Sequence, residues 1–259
     1  MRVLVFANNW MGWQVVRWLK QQGEELAGLV VHPPGRCAYG EDILAAAGLE
    51  ATRVLDASRL DAPETAEAIK QLRPEIGLSI LFGYRLPPAV LNAIPRGCLN
   101  LHPALLPYNR GAYPNVWSIV DGTPAGATVH VMNGEIDMGD IVSQREVRVD
   151  LADTGESLYR KLEQASLELF QETWPLIRAE REPRTPQPKD RGTAHRRADV
   201  DRIDEIDLNR SYTARELLNI LRARTFPPHP GAYFRDGNRK VYVRVQLVPE
   251  EQLTHGSLP

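Results

Sequence analysis

Short, unbroken apolar runs alternate with stretches of helical periodicity through the first half of the chain. RVLVFA (residues 2–7) is apolar nearly throughout, the pattern of a strand covered on both faces. Asn8, Asn9 and Gly12 interrupt it, and Val15, Val16 and Leu19 then share one face of a helix over 13–22. LAGLVVHP (26–33) is the next strand, so the chain opens on a βαβ unit, for which a right-handed crossover is expected. A short helix over 40–48, a weak strand over 51–55 and a helix over 65–72 that stops at Pro74 follow. The buried strand IGLSILF (76–82) then leads through GYRLPP into a short helix at Val90 and Leu91. This β-α-β-α-β alternation predicts an α/β fold with a doubly wound sheet. The first turn lacks a G-x-G-x-x-G fingerprint, which argues against tight dinucleotide binding. Asn8 and Asn9 fit either a helix cap or a phosphate site on helix amides.

Farther on, CLNL (98–101) reads as a strand that delivers Asn100 and His102 to its carboxyl end. PALLPYNRGAYP is too rich in Pro, Gly and Asn for regular structure and reads as a structured loop. ATVHVM is a second strand, ending in the turn-like NGEIDMGD, and IVSQREVRVD (141–150) alternates as an edge or antiparallel strand does. Asp153 and Glu156 carry a capping-box signature for a long helix striped by Leu158, Leu162, Ala165 and Leu169, which Pro175 is expected to kink or end. Residues 181–202, with Pro183, Pro186 and Pro188, read as a linker wrapping the surface. It separates a catalytic unit (1–180) from a small α+β appendage (203–259). Thr213 and Glu216 cap the appendage helix, with Leu217, Ile220 and Leu221 on one face, and GAYF, a turn at Asp236-Gly237-Asn238 and KVYVRVQLV form a hairpin. Val241, Val243 and Val245 on that hairpin need cover, from the chain itself or from a second copy in a homodimer. The tail HGSLP is expected to be disordered.

Composition narrows the partners. With 31 basic and 33 acidic side chains, the net charge of −2 provides no general attraction to nucleic acid or to an anionic membrane. No apolar run reaches the length of a membrane span, and MRVLVFANNW reads as a first strand rather than a signal peptide. Cys37 and Cys98 are far apart and show no metal-ligand spacing, which suits a reduced, cytoplasmic protein without disulfide or metal.

Open α/β sheets place chemistry at the carboxyl ends of strands. Asn100 and His102, two apart, point to the same side of theirs. If the site transfers an acyl group to an amine, Asn100 can donate to an oxyanion, His102 can handle the amine proton, and Asp137 can steady the imidazolium. No Ser or Cys elbow is present, so transfer without an acyl-enzyme is the simpler expectation. Taken singly, Asn100 also reads as a strand-end hydrogen-bonder, His102 as a loop histidine, and Asp137 and Asp140 as turn caps. The spacing marks a site without identifying the reaction.

The stretches LNLHPALLPYNRGAYP and ATVHVMNGEIDMGDIV resemble the formyltransferases that use 10-formyltetrahydrofolate. Their pattern is Asn-x-His, Leu-Leu-Pro, Arg-Gly, then an Ile- or Leu-Asp-x-Gly turn. The resemblance implies a Rossmann-like N-terminal formyltransferase domain, 10-formyltetrahydrofolate as formyl donor, and a catalytic trio at Asn100, His102 and Asp137. It also implies a folate pocket at Tyr84, Arg85 and Leu86 (from GYRLPPAVL), at Leu105 and Pro107, and at Gly134, Glu135 and Ile136. Ala104 departs from the family, which usually has Ser there. GTAHRRADVDRID and LRARTFPPHPGAYF look like the C-terminal region of nucleotide-sugar N-formyltransferases, implying a nucleotide-linked dideoxy-amino sugar as acceptor, usually for O-antigen or other surface glycans. Arg196, Arg197 and Arg222 are then candidates for its phosphates, Trp10 and Tyr113 for stacking, and Arg110 for a further contact with the substrate. A methionyl-tRNA formyltransferase would carry a larger, basic C-terminal barrel, and a glycinamide ribonucleotide formyltransferase no appendage. A formyl-folate hydrolase would need only water in place of the amine.

Overall fold

The computed structural model describes residues 1–188 and 190–252, so the tail HGSLP lies outside the described residues. The strands β1 (Arg2–Ala7), β2 (Glu25–Val31), β3 (Val54–Asp56), β4 (Ile76–Ile80) and β5 (Cys98–His102) alternate with the helices α1 (Asn9–Gln21), α2 (Gly40–Ala47), α3 (Pro63–Leu72) and α4 (Pro88–Asn92). A short strand β6 (Arg110–Gly111) and helix α5 (Pro114–Val120) precede β7 (Ala125–Val131), β8 (Ile141–Val147) and the long helix α6 (Gly155–Arg178). One seven-stranded sheet has the order β3-β2-β1-β4-β5-β7-β8. It is parallel up to β5, and β7 and β8 then run antiparallel.

The unbroken apolar runs are explained by cover on both faces. Val3, Val5 and Ala7 of β1 pack with Met11, Val15 and Leu19 of α1 and with Phe170 and Trp174 of α6. Leu4 and Phe6, one residue out of phase, pack on the other face with Ile69 of α3 and Val90 of α4. Alternate residues therefore serve two cores, as the two-residue period of a strand requires. β8 is the edge strand its alternation predicts.

Three local expectations are corrected. The weak strand at 51–55 is a 3-10 turn, Ala51–Arg53, running into β3. The loop after β5 is irregular up to Tyr113 apart from β6, as expected, and α5, on which the sequence pattern is silent, follows it with Val116, Trp117 and Ile119 buried. The box that starts α6 is Thr154–Ser157, each side chain bonded to the other's backbone N–H (3.2 and 3.0 Å), not Asp153–Glu156. Asp153 is engaged elsewhere, accepting from the Asp150 N–H, the Ser157 hydroxyl and Lys161. Pro175 sits in the last turn, and the helix continues to Arg178.

Past α6, a strap containing β9 (Ala194–His195) returns across the sheet's carboxyl edge to pair with β6. It leads into α7 (Asp201–Asp204), α8 (Ala214–Ala223) and the hairpin β10 (Tyr233–Asp236) and β11 (Arg239–Tyr242). As expected, the Thr213 hydroxyl caps α8 at the Glu216 N–H. Ala223 joins Leu158 and Leu162 of α6 and Trp117 of α5 in one apolar cluster. The approach is close: a Cβ on Gly155 would lie 2.1 Å from the Ala223 carbonyl oxygen.

Arg222 belongs to this junction rather than to a phosphate site. It is 5% exposed, and its guanidinium donates to the carbonyls of Asp150 (3.1 Å) and Asp153 (2.8 Å) and to the Asn219 side chain (2.9 Å). Arg222→Ala strips two carbonyls of their donor and is expected to cost roughly 2–4 kcal/mol in urea unfolding while leaving kcat unchanged. A turnover loss at unchanged stability would return Arg222 to the active site. Among the described residues, no helix is long and apolar enough to cross a membrane.

Candidate active site

The parallel-to-antiparallel junction of the sheet gathers the predicted trio. Asn100 of β5 pairs in register with Ser79 of β4 on one side and His130 of β7 on the other. Its Nδ2 donates to His130 Nε2 (3.1 Å) and to Asp137 Oδ1 (3.3 Å), so both amide hydrogens are engaged. His130 keeps Nε2 as an acceptor because its Nδ1–H donates to the Val131 carbonyl at 3.0 Å. His102, at the end of β5, donates Nε2–H to the Asn109 carbonyl at 3.0 Å, leaving Nδ1 as the ring's acceptor. Asp137 Oδ2 lies 3.7 Å from that same Nε2.

The loop after β5 is built to hold this ring. Asn109 is fully buried with φ +57°. Its amide donates to the hydroxyls of Ser118 and Thr123, both at 2.8 Å, while the Thr193 hydroxyl donates to its Oδ1 at 3.1 Å. Gly111 follows with φ +88°, and a Cβ there would fall 2.3 Å from the His195 carbonyl oxygen of the strap. This glycine brings its N–H to Asp137 Oδ2 at 2.8 Å.

Burial by itself pushes the Asp137 carboxyl up. The neighbouring His102 and His130, with the hydrogen bond from Gly111, outweigh it and hold the carboxyl well below the usual carboxylate range. Burial likewise lowers the Arg110 guanidinium, against the opposing charge of Asp137.

These groups line a cavity of about 880 Å³. One wall is the segment after β4, with Phe82, Tyr84, Arg85 and Leu86, tied by an Arg85–Gly134 carbonyl bond of 2.7 Å to the turn holding Gly134, Glu135 and Ile136. Another wall is Arg110, Tyr113 and Asn115 with Arg196, Arg197 and Arg202 of the strap side. Arg196 and Arg197 are exposed and, among the described residues, make no ion pair. The structure corrects three further expectations. Leu105 packs on Gly126 and Pro107 accepts the Thr193 N–H, so both brace the loop and stay off the cavity wall. Trp10 packs against the main core because the helix starts at Asn9, earlier than its apolar face suggested. Asn8 and Asn9 serve local structure: Asn8 accepts from the Ala38 N–H, and Asn9 from the Met11 N–H.

Sequence reasoning missed His130, Tyr159, Gln187 and His195, all but Gln187 on the cavity wall. For His130 the signal was present, a polar ring inside the apolar run ATVHVM on the strand next to Asn100. His195 stacks flat on Trp117 at 4.1 Å, a contact across 78 residues that no local pattern reveals. Among the described residues, no group of three or more His, Cys, Asp or Glu is arranged to hold a metal ion.

An amide donor, an imidazole with a free lone pair and an ionised carboxylate lie together on one cavity floor, a set of groups compatible with acyl transfer to an amine. The chain belongs to the formyl transferase family, whose Formyl transferase domain matches residues 3–173 and whose N-formyltransferase dimerization C-terminal domain matches residues 199–249. Within that family it is similar to a dTDP-4-amino-4,6-dideoxyglucose formyltransferase of Mycobacterium tuberculosis, 35% identical over 73% of this chain and 80% of that one. A 4-N formyltransferase from Francisella tularensis has a TM-score of 0.81 at 27% identity, over 96% of this chain and 98% of that one. A formyltransferase from Anoxybacillus kamchatkensis, solved in complex with UDP-4,6-dideoxy-4-formamido-L-AltNAc and tetrahydrofolate, has a TM-score of 0.56 at 25% identity, over 78% of this chain and 89% of that one.

Proposed function

We propose that the protein moves the formyl group of 10-formyltetrahydrofolate to the amine of a nucleotide-linked dideoxy-amino sugar, with Asn100, His102 and Asp137 as its catalytic residues. The observation that carries this reading is the convergence of those three side chains on the floor of the cavity between the Tyr84–Leu86 wall and the strap arginines. The first wall, with apolar Phe82, Leu86 and Met132 beside the exposed backbone of Gly83 and Gly134, suits a flat heteroaromatic ring with hydrogen-bonding edges. Arg196 and Arg197 suit a diphosphate.

The residues divide the work by their geometry. The neutral amine attacks the formyl carbon, and the Asn100 amide turns one N–H to the oxyanion, giving up its longer bond to Asp137. His102 takes the ammonium proton on Nδ1, since Nε2–H is committed to Asn109. The ring then becomes an imidazolium whose Nε2–H lies beside the Asp137 carboxylate, and the proton passes on to the departing folate nitrogen. The enzyme works in the cytoplasm as a homodimer on a sugar destined for O-antigen or another surface glycan. In support of the dimer, Val241 and Tyr242 of the hairpin are 38% and 48% exposed.

The direct test supplies dTDP-4-amino-4,6-dideoxyglucose and 10-formyltetrahydrofolate and looks for a formamido product by mass spectrometry. A thermal-shift series with dTDP, UDP and GDP, with a folate analogue present, identifies the carrier. A nucleotide at a hundredfold excess over its Kd should add about 2.7 kcal/mol. A shift with the folate analogue alone, and no product from any amino sugar, would keep the donor and overturn the acceptor.

A further inference from the structure

Gln187 lies between the two matched domains, in the strap. The strap is pinned on either side of it. Thr185 exchanges backbone hydrogen bonds with Ile141 (2.8 and 2.9 Å), and the carbonyls of Thr193 and His195 accept the N–H groups of Arg110 (3.0 Å) and Ala112 (2.9 Å). Between these pins the Gln187 side chain turns inward and is 7% exposed. Its Nε2 donates to two carbonyls of one turn, those of Asp137 and Gly139, both at 2.8 Å. Its Oε1 accepts from Arg110 Nε (3.2 Å) and Nη2 (3.0 Å).

Asp137 needs such a hold. Its backbone is left-handed, φ +52°, a conformation that costs residues other than glycine some energy, Asp less than most, so contacts from its surroundings help to hold it. The same backbone setting decides where its carboxylate points. We propose that Gln187 is a positioning residue for formyl transfer. By clamping the 137 and 139 carbonyls it keeps the Asp137 carboxylate within reach of the Gly111 N–H, Asn100 and His102, and it fastens Arg110 to the same point. This rests on the reading of Asp137 as the carboxylate partner of His102. It adds to the site a residue from outside the catalytic domain, so that the strap completes the active site as well as covering it.

Neighbouring amides report the clamp separately from the strap. Arg110 and Ala112 donate to strap carbonyls, whereas Gly111, between them, donates to the Asp137 carboxylate. Gln187→Glu keeps the shape and the acceptor for Arg110 but turns an oxygen toward the two carbonyls, and Gln187→Leu removes both functions. In the full-length protein without ligand, hydrogen exchange at Gly111 should quicken about tenfold or more in both variants, with Arg110 and Ala112 still protected. Unchanged protection at Gly111, or equal loss at all three amides, overturns the proposal, the second because it shows only a lifted strap.

In turnover, kcat should fall by about 10–10²-fold with the donor KM unchanged. A wild-type kcat in Gln187→Glu would also overturn it. A wild-type protein that formylates no amino sugar, yet whose variants show the Gly111 exchange pattern, would count against the proposed function and leave the clamp standing.

Discussion

Asp137→Asn is expected to lower kcat by roughly 10³–10⁴-fold with little change in the KM of either substrate, the scale of losing the carboxylate that steadies a catalytic imidazolium. The substitution keeps size and one oxygen but removes the charge beside His102 Nε2, 3.7 Å away, and beside His130, 3.4 Å away. Steady-state kinetics with both substrates varied checks it. A variant within tenfold of wild type would remove Asp137 from the mechanism. Stability adds a second reading with a definite sign. The native carboxyl is held below its unfolded value of about 3.9, so its contribution to stability is present above that pH and is lost as pH falls from there through the native value. Urea midpoints of wild type and variant should therefore differ at pH 7 and converge in acid.

Asn100→Ala should cost about 10²–10³-fold in kcat, the usual loss of one oxyanion donor. The side chain sits in a half-buried strand position between Ser79 and His130, so truncation leaves the sheet paired and its effect should fall on turnover rather than on folding. Asn100→Asp separates donor from shape: it keeps the volume, places a second carboxylate against Asp137, and should be at least as inactive as the alanine variant. If Asn100→Ala turns over near the normal rate while His102→Ala is dead, the oxyanion is held by another group.

Much of this molecule is legible from local pattern. Four of the five parallel strands (β1, β2, β4 and β5), the edge strand β8 and the stripe of α6 follow from the local pattern of apolar positions, which records how each element is covered. Boundaries were read less well where polar side chains decide them. Asp153 and Thr154 are both good cap residues, and only the fold shows that Asp153 is already bonded to Lys161 and the Asp150 N–H. The helix α5 begins at Pro114, the last residue of the Pro-, Gly- and Asn-rich stretch, so the loop pattern runs up to its first turn and conceals its start.

For the site, the sequence by itself determined that Asn100 and His102 project together from one strand end, because residues two apart on a strand share a face. Through its motifs it also pointed to Asp137, and it pointed to the formyltransferase family, a membership that the domain matches bear out. Only the tertiary structure decided which charges meet. Arg222 is sealed into the α6–α8 junction while Arg196 and Arg197 face the cavity, although the three are alike in the sequence. His130 and Gln187 reach the trio from a neighbouring strand and from a strap 50 residues past Asp137. A polar side chain's role is fixed by the partners and burial it meets across such distances, and these leave no periodic trace in the chain.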